Sequence, residues 1–201
     1  MNHRLSVAPL FASLLLAAGC GQAAAPPAPQ SERSSLAGSN IGGPFSLIDQ
    51  DGRRVRDTDF AGRYRLIYFG FANCPDVCPV DLAVIGAGLR RFEAADPARA
   101  TKVQPIFITV DPERDTPALL KAYVANFHAR LIGLTGSTQE IEAAQKEYGV
   151  YAMKGEARPD GGYNVDHSRI IMLFGPQGEP IAIVPHESAE LVTTELARWV
   201  R

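Results

Sequence analysis

The sequence is short of most things that mark a specialised class. Its 201 residues hold only three cysteines, too few for a small disulfide-stapled scaffold. Charge of neither sign is in excess: 20 Lys and Arg against 22 Asp and Glu leave a formal net charge of −2. Such a balance gives no electrostatic footprint for nucleic acid. Apolar residues make up 46% and charged residues 21%, which argues against a disordered, collagenous or multi-spanning membrane chain. There is no internal repeat, no G-x-G-x-x-G and no Walker loop, so nucleotide binding has no support. The length suggests one domain. The cysteine count is odd, and in an exported protein an odd count leaves one thiol over.

The first cysteine belongs to the opening segment, MNHRLSVAPLFASLLLAAGC. Arg4 and the free amine give a positive start, Leu10 to Ala18 is apolar, and small residues lead into Cys20. This is export-signal architecture, too short for a spanning helix. It resembles the bacterial lipoprotein signal, which implies that residues 1–19 are removed and that Cys20 is lipidated. An ordinary signal peptide cut nearby would instead leave Cys20 as a thiol. Between Gly21 and Ser39, 16 of 19 residues are Ala, Pro, Ser, Gly or Gln. Such a segment buries no core and reads as a tether. It would span about 25 Å as a coil and about 60 Å if stretched toward polyproline. The expected organisation is a signal at 1–19, a lipidated cysteine and tether at 20–40, and one domain at 41–201. A lipid anchor would hold that domain on the cell membrane, facing the periplasm or extracytoplasmic space.

Short extended runs either side of Asp49-Gln50-Asp51-Gly52 predict an N-terminal β-hairpin. Residues 65–71 and 103–110 are apolar and β-rich, and predict buried strands. Leu82, Ile85, Leu89 and Phe92 lie at helical spacing, as do Leu120, Tyr123, Val124 and Phe127 after the N-cap signal Thr116-Pro117. A short strand at 131–134, a helix at 137–148, strands at 169–174 and 180–184 and a final helix through Val192, Leu196 and Trp199 complete the pattern. Alternating strands and helices predict an α/β fold, a mixed, mostly parallel central sheet covered on both faces. An early strand–cysteine–helix unit and a closing strand–turn–strand–helix have the layout of a thioredoxin-like fold.

The strand at 65–71 runs into Cys74-Pro75-Asp76-Val77-Cys78-Pro79. Each cysteine precedes a proline and is biased away from the α region. Proline suits the first helical position, so the helix is expected to start at Pro79 with Cys78 as its N-cap. Both thiols then sit at the helix's positive end, a setting that favours thiolates. A loop also lets the pair close as a disulfide, whereas within a helix i,i+4 Cβ atoms lie about 5–6 Å apart against about 3.8 Å in a disulfide. An inert disulfide is the plain alternative. However, so short a loop restrains the unfolded chain little, and the end of a central strand is where α/β folds place chemistry.

Of the four histidines, His3 goes with the signal, and His128 and His186 read as solvated or capping residues. His167, in Val165-Asp166-His167-Ser168, enters the strand that in this layout faces the cysteine loop. Two thiols and an imidazole would converge there. Soft thiolates with one imidazole suit Cu(I), and Cu(II) if another nitrogen or oxygen joins. Zinc also accepts two Cys and one His. An oxidised pair offers no thiolates, so metal loading would require prior reduction.

At these motifs the chain resembles the Sco/SenC family. The residues that carry the likeness are Tyr68-Phe69-Gly70-Phe71-Ala72-Asn73-Cys74-Pro75-Asp76-Val77-Cys78-Pro79, Val110 to Pro117, Leu134-Thr135-Gly136 and Val165 to Ser168. The resemblance implies a membrane-anchored copper protein binding one copper per chain through Cys74, Cys78 and His167. It implies a role in assembling the CuA site of cytochrome c oxidase, as copper donor to subunit II or as reductant of its cysteines. A periplasmic copper donor or thiol reductant would then act upstream. A general extracytoplasmic thiol-disulfide oxidoreductase, with Cys74 and Cys78 as a redox pair, is the alternative. His167 argues against it, because disulfide exchange needs no third soft ligand. Phe71 stands where peroxiredoxins carry Thr, which weakens a peroxidase reading. Asp76, Asp111, Asp115 and Asp166 are candidates to orient a ligand or meet a partner. For Asp111 and Asp115, turn and capping roles are the plainer reading. Met172 is expected in the core, and Met153 is a candidate extra soft ligand.

Overall fold

The computed structural model describes residues 36–158 and 162–201. The expected signal, Cys20 and the tether up to residue 35 lie outside the described residues. In chain order the elements are β1 (Ser46–Asp49), β2 (Arg54–Arg56), β3 (Tyr64–Gly70), α1 (Val77–Ala95), α2 (Pro97–Ala100), β4 (Val103–Thr109), α3 (Pro117–Val124), β5 (Ile132–Thr135), α4 (Thr138–Glu147), β6 (Ala152–Lys154), β7 (Val165–His167), β8 (Ile171–Phe174), β9 (Pro180–Val184) and α5 (Ala189–Trp199). Packing begins upstream of β1, where Leu36 N–H donates to the Ile181 carbonyl at 2.9 Å. Among the described residues no helix is long and apolar enough to cross a membrane.

Local chemistry explains the boundaries. Asp49 turns the first hairpin by accepting from the Asp51 and Arg53 N–H groups at 2.9 and 2.8 Å, an Asx-type turn. Thr116 caps α3 with Pro117 in its first turn, as the sequence predicts. Ser137 and Glu140 cap α4 reciprocally, and Ser188 caps α5. Each side-chain cap satisfies an N–H that the helix itself cannot.

Seven strands form one sheet in the order β2-β1-β5-β4-β3-β8-β9. Every residue of β3 and β4 is buried, which explains why these strands read as unbroken apolar runs rather than alternating ones. The sheet is less parallel than expected. Only β3–β4 and β4–β5 pair in parallel, while β1–β2, β1–β5, β3–β8 and β8–β9 are antiparallel. Parallel neighbours need a crossover, and the central connections, through α1–α2 and α3, supply the two. The sequence reading also lacked a separate ribbon in which β6 pairs with β7.

Aromatic rings mark the two layers. On one face Tyr68, Phe107, Tyr123 and Phe127 form a chain with centroids 5.0–6.3 Å apart. On the other, Tyr148, at the end of α4, meets Phe45, Phe69 and Phe174 at 5.1–6.3 Å. Burying each such ring is worth about 1.5–3 kcal/mol. The central strand β3 is thereby clamped from both sides, and its C-terminal end is a rigid support for the cysteine loop.

Candidate metal centre

Strand β3 ends at Gly70, where a side chain would be tight: a Cβ there would lie 3.1 Å from Cys78 Sγ and 3.0 Å from the Phe107 ring, so these neighbours would have to yield. Past it the chain turns, with Cys74 N–H donating to the Phe71 carbonyl at 3.2 Å. Asp115 ties this loop down. Its Oδ2 accepts from the Ala72 N–H at 2.9 Å and from the Thr109 hydroxyl at 2.6 Å, and the residue is fully buried. Burial raises its pKa against the lowering effect of those two bonds. This carboxylate acts on the cysteines only through the loop backbone.

Helix α1 starts at Val77, with Asp76 at the N-cap and no side-chain cap bond. The expected start at Pro79 is therefore two residues late, and Cys78 lies in the first turn rather than at the cap. Proline at the third helical position removes only an N–H that has no partner within the helix. The Cys78 N–H, another such orphan, donates to Cys74 Sγ at 3.5 Å. Cys74 thus caps the helix with sulfur. Both thiols are free, Cys74 half-buried and Cys78 buried.

Burial corrects the expectation that the helix end would favour both thiolates. Desolvation pushes the Cys78 thiol up to about 12, although the Phe71 N–H and the Tyr68 hydroxyl favour its ionised form. Cys78 is a protonated thiol at neutral pH, and a metal that displaces its proton must repay that cost.

His167, the last residue of β7, faces this thiol with Nε2 3.3 Å from Cys78 Sγ. Its Nδ1 lies 3.1 Å from the Ser168 carbonyl. A carbonyl can only accept, so Nδ1 carries the proton and the Nε2 lone pair points at the sulfur. Desolvation lowers the His167 pKa, which keeps the ring neutral and able to ligate. Phe71 and Tyr68 meet the imidazole edge-on at 5.9 and 6.3 Å and hold its plane.

Beneath the pair lies a carboxylate that sequence reasoning missed. Asp81, 1% exposed, accepts from the Tyr68 hydroxyl at 2.8 Å and from Arg169 Nε and a terminal nitrogen at 3.1 and 2.7 Å. His186 Nε2 stands 4.0 Å from it. The signal was present in the sequence: Asp81 falls on the buried stripe Cys78, Asp81, Leu82, Ile85, Leu89, Phe92, and a charge on such a stripe needs a buried partner.

The ribbon that carries His167 is also fastened. The Tyr163 ring lies between Arg114, 3.7 Å from its centroid, and Lys154, 4.0 Å away. The Tyr163 hydroxyl donates to Asp111 at 2.7 Å, and Asp111 pairs with Arg114. Asp111 therefore acts through the ribbon, remote from the sulfurs. Asp76 and Asp166 line the surface cleft beside the cysteines, about 340 Å³ with Cys74, Phe71, His167 and Arg169, and bond to neither sulfur nor imidazole. Met172 is buried as expected and Met153 is exposed, where its sulfur accepts from the Tyr151 hydroxyl. His128 is buried rather than solvated, pairing with Glu93 at 3.3 Å and accepting from the Arg130 N–H.

Cys78 and His167 are thus in direct contact, while Cys74 rests against the helix end. Among the described residues no three His, Cys, Asp or Glu side chains stand in a ready metal-holding arrangement. A third donor would have to come from Cys74, whose Sγ accepts from the Cys78 N–H at 3.5 Å. Two soft sulfurs and an imidazole are a donor set fitted to copper in a low-coordinate site.

Comparison with known proteins bears on this geometry. The family model SCO1/SenC matches residues 33–201. Protein SCO1 homolog 1, mitochondrial, of Arabidopsis thaliana is 44% identical over 146 residues, 73% of this chain and 42% of that protein. The chain spans about half the length of the curated relatives it matches, 42% to 52% in the first four. The structure of Bradyrhizobium japonicum ScoI with copper bound aligns with TM-score 0.72 and 41% identity, covering 80% of this chain and 99% of that one. BsSco, a member of the Sco family of cytochrome c oxidase assembly proteins in which a disulfide switch was identified, aligns with TM-score 0.62 and 27% identity, covering 80% and 94%. The thioredoxin domain of a thiol-disulfide oxidoreductase from Bacteroides vulgatus aligns with TM-score 0.59 at 17% identity, covering 83% and 100%. That last likeness establishes the thioredoxin-like fold alone.

Proposed function

Since the chain belongs to the SCO1/SenC family, we propose that it carries copper for the assembly of a cytochrome c oxidase, held by Cys74, Cys78 and His167. The observation that supports this most is the 3.3 Å approach of the neutral His167 Nε2 to Cys78 Sγ, with Nδ1 engaged by Ser168. A buried thiol and an oriented imidazole need only Cys74 to complete a three-donor set. Copper is cargo here. Three protein donors leave a coordination position open through which an acceptor ligand can enter, whereas structural zinc sites close with four. The acceptor in this reading is the CuA domain of subunit II. Cys20, lipidated, would hold the domain at the membrane on the extracytoplasmic side, and a copper donor or thiol reductant there would recharge it.

A second reading draws on the unequal exposure of the two thiols. Half-buried Cys74 can attack an acceptor disulfide as thiolate and form a mixed disulfide with one of its sulfurs. Cys78 then gives up its proton and displaces that sulfur, leaving a Cys74–Cys78 disulfide and a reduced acceptor, two electrons having passed. This would make the chain a reductant of the CuA cysteines or a general thiol-disulfide oxidoreductase.

Copper titration of the reduced protein tests the first reading. One Cu(I) per chain is expected, and Cys74→Ser, Cys78→Ser and His167→Ala should each weaken binding by more than about tenfold, the loss that removing even a partner behind a ligand brings. Wild-type binding by the His167 variant would refute the three-donor site. Incubating the reduced, copper-free protein with an oxidised CuA domain tests the second: new free thiols on that domain support it, and their absence leaves only copper delivery.

A further inference from the structure

At the end of the sheet opposite the cysteines lies a cleft of about 550 Å³, within the size range of small-molecule sites. It is walled by the 39–44 segment on one side and the Pro176-Gln177-Gly178 turn on the other. Arg65, from the start of β3, lines it. This arginine is 5% exposed, and its Nε is buried with no hydrogen-bond partner among the described residues. Nor does any described carboxylate reach it within 4.0 Å. The contact it does make is with the Phe174 ring, 5.8 Å from the guanidinium carbon, which offsets only part of the desolvation of a cation.

A buried guanidinium without an anion is costly, and arginine cannot shed its proton to escape the cost. The fold nevertheless makes room for it. Gly178 has φ +92°, and a side chain there would collide with Arg65 Nη2. The turn packs closely on the guanidinium. Asp57 supplies the one carboxylate of the lining. It is half-buried. Asn40 and Thr58 add neutral polar groups at the rim.

We infer that this cleft binds a small soluble oxyanion, a carboxylate or a phosphate, with Arg65 as the cation that holds it. Guanidinium matches both groups through charge-assisted hydrogen bonds. The inference stands apart from the copper reading: no residue of this cleft takes part in the sulfur–imidazole site.

Titrating the full chain, reduced and copper-free, with sodium phosphate and separately with sodium acetate tests it. Ionic strength is held constant with sodium chloride, and the amide NMR signals of Gly43, Gln177 and Gly178 are followed. Saturable shifts are expected with at least one of the two anions, and the one that saturates identifies the class. Arg65→Met, which keeps the stem and removes the charge, should weaken that binding roughly tenfold or more, as expected for a charged hydrogen bond. Arg65→Lys, which keeps the charge but loses the fork, should bind with intermediate affinity and serves if the Met variant fails to fold. Shifts that stay linear to about 100 mM with both anions would overturn the proposal, as would wild-type affinity in either variant.

Discussion

At the scale of single residues, the site is a problem of desolvation. Cys78 is buried so thoroughly that its proton is held, while Cys74 stays half-exposed and caps a helix. Reactivity should separate accordingly. With iodoacetamide at neutral pH, mass spectrometry of the reduced protein should find Cys74 alkylated well before Cys78. Equal rates would show that burial does not govern the pair. Asp81 raises the complementary question of a buried charge. Asp81→Asn keeps the shape but leaves Arg169 and Tyr68 poorly matched. Because Arg169 is partly exposed (43%), the loss should fall below that of a fully buried pair, about 1–3 kcal/mol by urea unfolding. The double variant with Arg169→Met should cost less than the sum of the two single changes.

At the scale of elements, two supports bring the donors together. Helix α1 and the end of β3 fix the cysteines, and the β6–β7 ribbon delivers His167. The ribbon is tied to the rest by Arg114, which lies over the Tyr163 ring and donates to the Tyr163 carbonyl at 3.0 Å, by the Tyr163 hydroxyl on Asp111, and by Lys154 on Glu113 at 2.6 Å. Tyr163→Leu removes the aromatic face between two cations, worth about 1 kcal/mol or more. It should lower copper affinity about fivefold to tenfold and raise hydrogen exchange over 152–154 and 165–167, with Cys74 alkylation unchanged. Unaltered exchange there would mean that the clasp does not hold the ribbon.

The elements also show what could be read from sequence. Long apolar strands and capped helices were legible because their periodicity and end residues are local. Cys74 and Cys78 are legible because they lie between the apolar strand β3 and helix α1, and His167 because it stands just before the apolar run of β8. The ribbon was not, since strands of three residues on either side of a long loop carry no period. The parallel content is not legible, because strand direction depends on pairing across the sheet. The start of α1 is not legible, because the rule for residues before proline is a bias, and Cys78 is helical against it. Asp81 was missed because its partners, Tyr68 and Arg169, are 13 and 88 positions away.

At the scale of the whole molecule, buried imidazoles couple folding to pH. Burial lowers the pKa of His128 below its ordinary 6.5, and that of His167 likewise. The unfolded chain therefore takes up these protons first, and stability is lost as pH falls below about 6.5 toward the folded-state values. Glu93 adds to this at lower pH. Burial pushes its carboxyl up, but the Arg130 bond and the His128 charge outweigh it and hold the pKa below 4.5, so the stability it contributes is present above 4.5 and lost as pH drops through its folded-state value. Copper-free protein should thus unfold at lower urea concentration at pH 5 than at pH 7, and His128→Gln should flatten the upper part of that slope. A flat profile in the parent protein would contradict the assignment.

The central claim is that two sulfurs and one imidazole nitrogen meet on one copper. X-ray absorption of the Cu(I)-loaded protein measures that donor set directly. The account predicts two sulfur scatterers and one nitrogen per copper, with the nitrogen signal lost in His167→Ala. A spectrum with a single sulfur, or one with an imidazole contribution that survives that substitution, would contradict it.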